Sequence, residues 1–226
     1  EQRLTNGSFI MQAKKTRQEI LIWTDAAIYS MQYLGPPYTF GFQLLMDNIS
    51  MMSPNASVVI NNVAYWMGTD KFYSYSGRVE TLPCSIRQYI FNDISFDQRF
   101  QTVCGSNEGY NEVWWHYPSA DSDVNDRYVI YNHLERIWYY GTLNRTAWFN
   151  SSLQYNPMAI FSIQTSYLSA AITTTGTITS IPIINAFSYP SFGIVTIGTE
   201  QLSYTGNTGT TLTGITRAVN NTTAAT

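Results

Sequence analysis

Asp121-Ser122-Asp123-Val124-Asn125 sets oxygen-bearing side chains at the first, third and fifth places of a calcium loop, the spacing at which a hard cation gathers carboxylate and amide oxygens. The rest of that loop is missing. Asp126 stands where the sixth place needs glycine, and Asn132 where a bidentate glutamate would close the shell. The stretch therefore reads as a solvated hairpin turn. His116, His133, Cys84 and Cys104 are the only imidazoles and thiols, and they are scattered rather than clustered as zinc ligands are. The histidines read as turn or rim residues at strand ends, and the cysteines as buried free thiols. Glycoside hydrolysis needs two carboxyl groups flanking one bond. Asp93, Asp97, Glu108, Glu112, Glu135 and Glu200 supply acids, but no spacing pairs them and no Ser-x-Asp-x-Gly-x-Thr-Trp box accompanies them. Nor does a G-x-S-x-G elbow occur. No catalytic, cofactor-binding or metal-binding residue is assigned, and a protein without enzymatic activity or cofactor is expected. The clusters Trp114, Trp115, Tyr117 and Trp138, Tyr139, Tyr140 would suit a sugar-binding face. Neighbours along a strand point to opposite sides, so at most half of each set can serve it. Packing between sheets accounts for most of them.

The elements that would position these residues repeat. Glu19–Trp23, Asn62–Trp66 and Asn111–Trp115 are apolar runs ending in tryptophan. Each leads through an Asp-containing turn into a tyrosine-bearing run: Ile28–Met31, Phe72–Tyr75 and Tyr128–Tyr131. The tryptophans recur at spacings of 43 and 49 residues, the period of a four-stranded propeller blade. A short strand is expected near Ser8–Met11, a meander over Val58–Leu82, and strands at Val113–Tyr117, Arg127–Tyr131, Ile137–Gly141 and Thr146–Phe149. Ile86, Tyr89, Ile90 and Ile94 fall at helical spacing, so a helical insertion is expected between Ser85 and Phe100. Phe40–Met52 is apolar without clear period and reads as a covering loop with a short strand, or a helical turn. Counting a partial fourth unit, the chain carries about three blades. A closed propeller needs roughly four to eight, so more chain or other copies must complete it.

Composition bounds the partners. The 226 residues are 44% hydrophobic, 15% aromatic and only 12% charged, with net charge −3. Few charges and many aromatic rings suit strands and subunit interfaces. Three lysines form no basic patch for specific nucleic-acid binding. No apolar run approaches the ~20 residues of a membrane span. The chain opens on Glu1 close to a repeat, which leads to the expectation of a piece of something longer. Beyond residue 160 charge almost vanishes and Thr, Ser and Gly dominate. Alternating runs at Thr177–Ile181, Gly193–Gly198, Glu200–Tyr204 and Thr211–Ile215 predict a small β-barrel or β-sandwich. The fold class is thus all-β: propeller-like antiparallel blades with a short helical insertion over residues 1–160, and an appended or inserted module over 161–226.

Particular wording adds to this reading. Arg3–Ser8, Trp23-Thr24-Asp25, Gly35–Phe42, Tyr65–Gly68, Gly77–Cys84, Asn111–Trp115 and Arg136–Leu143 resemble a family of bacteriophage virion structural proteins over roughly the first 150 residues. Tyr189-Pro190, Gly193, Ile197–Glu200, Leu202–Gly206, Leu212–Gly214 and Thr216-Arg217 resemble a β module recurrent in phage tail proteins. Ala218 departs from that module, where glycine is expected after the arginine. The resemblance implies a virion component of the tail, of nozzle, hub or collar type. Its partners would be other copies in a ring and neighbouring tail or head-to-tail proteins. The alternative is a receptor-binding tail protein that takes a host surface glycan.

Overall fold

The computed structural model describes residues 4–150, 157–160, 166–172, 176–187, 189 and 191–224. The chain divides into two compact units, Glu1–Ser162 and Ile163–Thr226. The fold is all-β.

The first unit holds three four-stranded antiparallel meanders. The first sheet is β1 (Ile10–Lys15), β2 (Ile20–Thr24), β3 (Ala27–Tyr33) and β4 (Phe40–Asp47), paired in sequence order. The second is β5 (Ser57–Ile60), β6 (Val63–Met67), β7 (Phe72–Tyr75) and β8 (Val79–Leu82). The third is β9 (Val103–Asn107), β10 (Glu112–Pro118), β11 (Asn125–Asn132) and β12 (Ile137–Thr142). A hairpin of β13 (Ala147–Phe149) and β14 (Met158–Ile160) begins a fourth unit.

The first strands of successive sheets are neighbours, as in a propeller, where they line the axis. The Ser57 hydroxyl on β5 bonds the Gln12 amide on β1. The Cys104 N–H on β9 donates to the Asn55 carbonyl just before β5 at 2.8 Å. Trp148 Nε1 on β13 donates to the Ser106 carbonyl on β9 at 2.8 Å.

The second and third sheets are apolar on both sides, because each is packed on both sides. In the second sheet Trp66 lies opposite Tyr73, and this side, called the front, meets the first sheet: Trp66 sits edge-on to Trp23 at 5.5 Å. Met67 lies opposite Phe72 on the back, and Phe72 meets Trp115 and Trp138 of the third sheet at 5.1 and 4.6 Å. Trp114 and His116, on the back of the third sheet, lie 5.3 and 5.5 Å from Trp148. Gly105 makes that approach possible, since a Cβ there would overlap the Trp148 indole.

The register corrects the tryptophan-based alignment by one residue. Ile22 opposite Tyr29, Trp66 opposite Tyr73 and Trp115 opposite Val129 are the equivalent pairs. Trp23 instead pairs with Ile28 on the back of the first sheet, in the place Met67 takes in the second. Because side chains alternate with period two, a slip of one residue moves a side chain to the other face.

The helical insertion is shorter than its apolar spacing suggests. Helix α1 spans Arg87–Asp93, and Ile94 already bridges to Ser119 in extended form. Its Ile90 is fully buried, Phe91 lies 5.3 Å from Phe72, and Asp93 reaches Arg127 of β11 at 3.3 Å. Phe40–Met52 is also resolved: it supplies all of β4. The register shift between Ile28 and Tyr29 leaves Leu45 as an extra residue between paired Leu44 and Met46. A bulge of this kind breaks strict alternation, which is why no period was visible.

The second unit pairs β15 (Ser180–Pro182) with β19 (Thr211–Thr213), which also pairs with β18 (Gly206–Asn207). β16 (Gly193–Ile197) forms a hairpin with β17 (Glu200–Tyr204). Reciprocal backbone bonds between Ser203 and Thr216, both 2.9 Å, extend that hairpin by one bridge. No closed barrel forms among the described residues. Ile181, Ile183, Ala186, Leu202, Tyr204 and Leu212 make the core. Residues 173–175 and Pro190 of the sequence reading lie outside the described residues.

The structure gives a physical reason for the glycine expected at Ala218. It sits at φ 55°, in the left-handed region that glycine enters without steric cost. Ala218→Gly is expected to stabilise the second unit by roughly 0.5–1 kcal/mol, read as a raised urea midpoint with an unchanged slope.

Candidate interaction surface

The residues chosen for their chemistry are mostly engaged in structure. In the β10–β11 turn, Asp126 accepts the Ser119 N–H and hydroxyl, both at 2.8 Å. Asn125 donates to the carbonyls of Gln101 and Arg145 at 2.7 and 3.0 Å. The turn is therefore only half solvated: Asp121 and Asp123 are exposed, whereas Ser122, Asn125 and Asp126 are buried. Among the described residues no three His, Cys, Asp or Glu side chains come together as metal ligands do.

The carboxylates do not converge across a cleft. Asp93 shares Arg127 with Asp126, at 3.3 and 3.7 Å. Burial holds the Asp93 carboxyl above its ordinary range, against the opposing pull of Arg127. Glu112 accepts the Trp114 indole N–H at 2.9 Å. Glu200 is paired with Arg217 at 2.5 Å inside the second unit. Asp97, Glu108 and Glu135 are exposed on separate segments.

Both thiols are free. Burial pushes the Cys84 thiol up to about 11 and Cys104 well above its usual value, so neither is a ready thiolate at neutral pH.

His116 is not a rim residue. It lies in mid-strand at 0% exposure, ringed by Trp114, Tyr128 and Trp148. Neither ring nitrogen has a partner with hydrogen-bond geometry. Burial depresses its pKa to about 4; the Arg145 cation adds to the shift, and the nearby Leu143 backbone opposes it. An unfolded histidine titrates near 6.5, so between those values the unfolded chain binds a proton that the folded chain refuses. Stability is therefore complete above pH ~6.5 and falls as pH drops towards 4, by about 3 kcal/mol from this residue. His116→Phe is expected to flatten that part of the pH profile of unfolding free energy. His133, whose pKa burial also lowers, leaves a smaller slope in both proteins.

The aromatic clusters divide by face. Trp115, Tyr117 and Trp138 are turned towards the second sheet and α1, and Trp114 lies under Trp148. Only Tyr139 and Tyr140 remain on the surface, and Tyr140 leans on Tyr89 of α1 at 4.7 Å.

No protein-family model matches this chain, and no curated protein matches it.

Among the described residues, the β3–β4 hairpin carries a run of exposed apolar side chains. Tyr33 (68% exposed), Leu34, Tyr38, Phe40 (51%), Leu44 and Met46 stand out from it. β4 is also a sheet edge of eight residues without a charge before Asp47, a template for further association. Sequence reading missed this surface because the bulge at Leu45 hid the strand. A second apolar set, Phe149, Met158 and Ile160, is exposed on the β13–β14 hairpin. No helix among the described residues is long and apolar enough to cross a membrane.

Proposed function

We propose that this chain is a non-enzymatic structural component of a bacteriophage tail, of nozzle, hub or collar type, that works by shape and by buried area. The observation that carries the reading is the pair of exposed apolar surfaces at the two ends of the stacked sheets, on a chain with unusually few charges. Surfaces of this kind mark association sites, and aromatic enrichment with charge depletion is the composition of interface cores. The resemblance in wording to virion proteins supplies the setting. Other copies in a ring and neighbouring tail or head-to-tail proteins are the partners, where symmetry repeats each contact. Immunogold labelling of intact particles with antibody against this chain tests the reading: label on the tail is expected, and particles without label overturn it.

A second reading has one observation in its favour. Tyr167, Phe187 and Phe192 of the second unit are exposed, Tyr167 by 80%, and exposed rings stack on sugars. Binding of the full chain to host surface glycan, lost in Phe192→Ala or Tyr167→Ala, would favour a receptor-binding tail protein.

A further inference from the structure

We infer that the front of the first sheet receives the back of the β13–β14 unit of a second copy of this chain, so that copies stack front to back. This rests on the assembly reading above and names its surfaces.

The repeat itself points to an occupant. Ile20 opposite Met31 and Ile22 opposite Tyr29 take the places of Ala64 opposite Tyr75 and Trp66 opposite Tyr73 in the second sheet. They correspond likewise to Val113 opposite Tyr131 and Trp115 opposite Val129 in the third. In the second and third sheets these positions are covered by the back of the preceding sheet, ring against ring. In the first sheet they form a separate small cluster, with Leu4, Met31 and Phe42 packed beside Ile22, Ala27 and Tyr29. The cover there is one strip of N-terminal chain, tied by the Asn6 N–H to the Tyr29 hydroxyl at 2.8 Å. Beyond the strip, Phe40 and Leu44 lie opposite Tyr33 and Tyr29 on the same side and are half exposed.

The other end of the stack supplies a matching face. Trp148 points to the third sheet, so its neighbours Ala147 and Phe149, paired with Ile160 and Met158, point away from it. All four are exposed, and none carries a charge. This is the back of the last unit, the side that in every earlier unit meets the next front. On the receiving front two strand residues are charged, Lys15 opposite Ile20 and Asp47 opposite Ala27, and each lies at the end of its strand. The front positions between those strand ends and the four residues of the facing back carry no charge that would oppose burial. A front-to-back contact joins two different surfaces, so it propagates into a closed ring or a filament rather than stopping at a two-fold dimer.

The test uses the full chain and two variants whose changed residues are exposed, so that folding is unaffected and is checked by circular dichroism. Phe40→Glu with Leu44→Glu blocks the front; Phe149→Glu with Ile160→Glu blocks the back. Sedimentation velocity of the parent is expected to show association that grows with concentration, and each variant alone a single-chain mass. A one-to-one mixture of the two variants is expected to give a dimer and nothing larger, because one intact front and one intact back remain. A parent that stays a single chain at every concentration overturns the inference, as does self-association of either variant at the parent's level, or a mixture that stays unassociated. None of these outcomes bears on whether particles carry the chain in their tails, which the labelling experiment reads by itself.

Discussion

Trp66→Ala is expected to lower the stability of the first unit by about 3–5 kcal/mol, a large part of what holds a typical domain folded. The side chain is fully buried, sits edge-on to Trp23 at 5.5 Å and stacks on Tyr73 at 5.3 Å. Truncation opens a cavity between two sheets that no disulfide links. Trp66→Phe is expected to cost far less. The Trp66 Nε1 has no partner, so phenylalanine removes an unsatisfied donor along with some volume. Trp115 offers the contrast, because its Nε1 donates to the Ala56 carbonyl at 3.0 Å. Trp115→Phe should therefore cost about 1 kcal/mol more than Trp66→Phe. Urea unfolding followed by circular dichroism reads all three. A Trp66→Ala protein within 1 kcal/mol of the parent would mean that the first and second sheets do not pack there.

Glu200→Ala is expected to abolish the cooperative fold of the second unit while leaving the first intact. The Glu200 carboxylate takes Arg217 Nε at 2.9 Å, the second guanidinium nitrogen at 2.5 Å and the Ala218 N–H at 3.2 Å. Both side chains are under a tenth exposed. Removing the carboxylate takes two charge-assisted hydrogen bonds from the buried Arg217 guanidinium, which costs more than the pair contributes. Few side chains share the load, since the core of this unit has six buried members among the described residues. The double variant Glu200→Leu with Arg217→Met is expected to recover most of the loss, because neither charge then remains. Hydrogen exchange of the Leu202 and Leu212 amides is the readout: fast in the single variant, protected again in the double. Equal protection in the parent and in Glu200→Ala would remove the ion pair from the account.

The strands of the three sheets were legible where a short apolar run is bounded by turn residues, as in Ala64–Met67 and Arg127–Tyr131, and so was the helix around Ile90. Four things were hidden, each for a physical reason. β4 was obscured by one extra residue, Leu45, because a bulge shifts the alternation midway along a strand. The facing of Trp23 was obscured because residue type suggested an alignment that hydrogen-bond register contradicts. The burial of His116 was obscured because it depends on Trp148, which arrives from a later strand across the back of the third sheet. The Glu200–Arg217 pair was invisible for the same reason: 17 residues of separation say nothing of contact until Thr216 and Val219 bond to Ser203 and Gln201 of β17.

The exposed ends of the stacked sheets carry the central claim, and hydroxyl-radical footprinting reads them directly. Intact particles and the isolated chain would be oxidised side by side and compared at Tyr33, Phe40 and Met158. Strong protection of all three in the particle, against ready oxidation in the isolated chain, is the expected result. Equal oxidation in both would show these side chains facing water in the assembled state and would contradict the account.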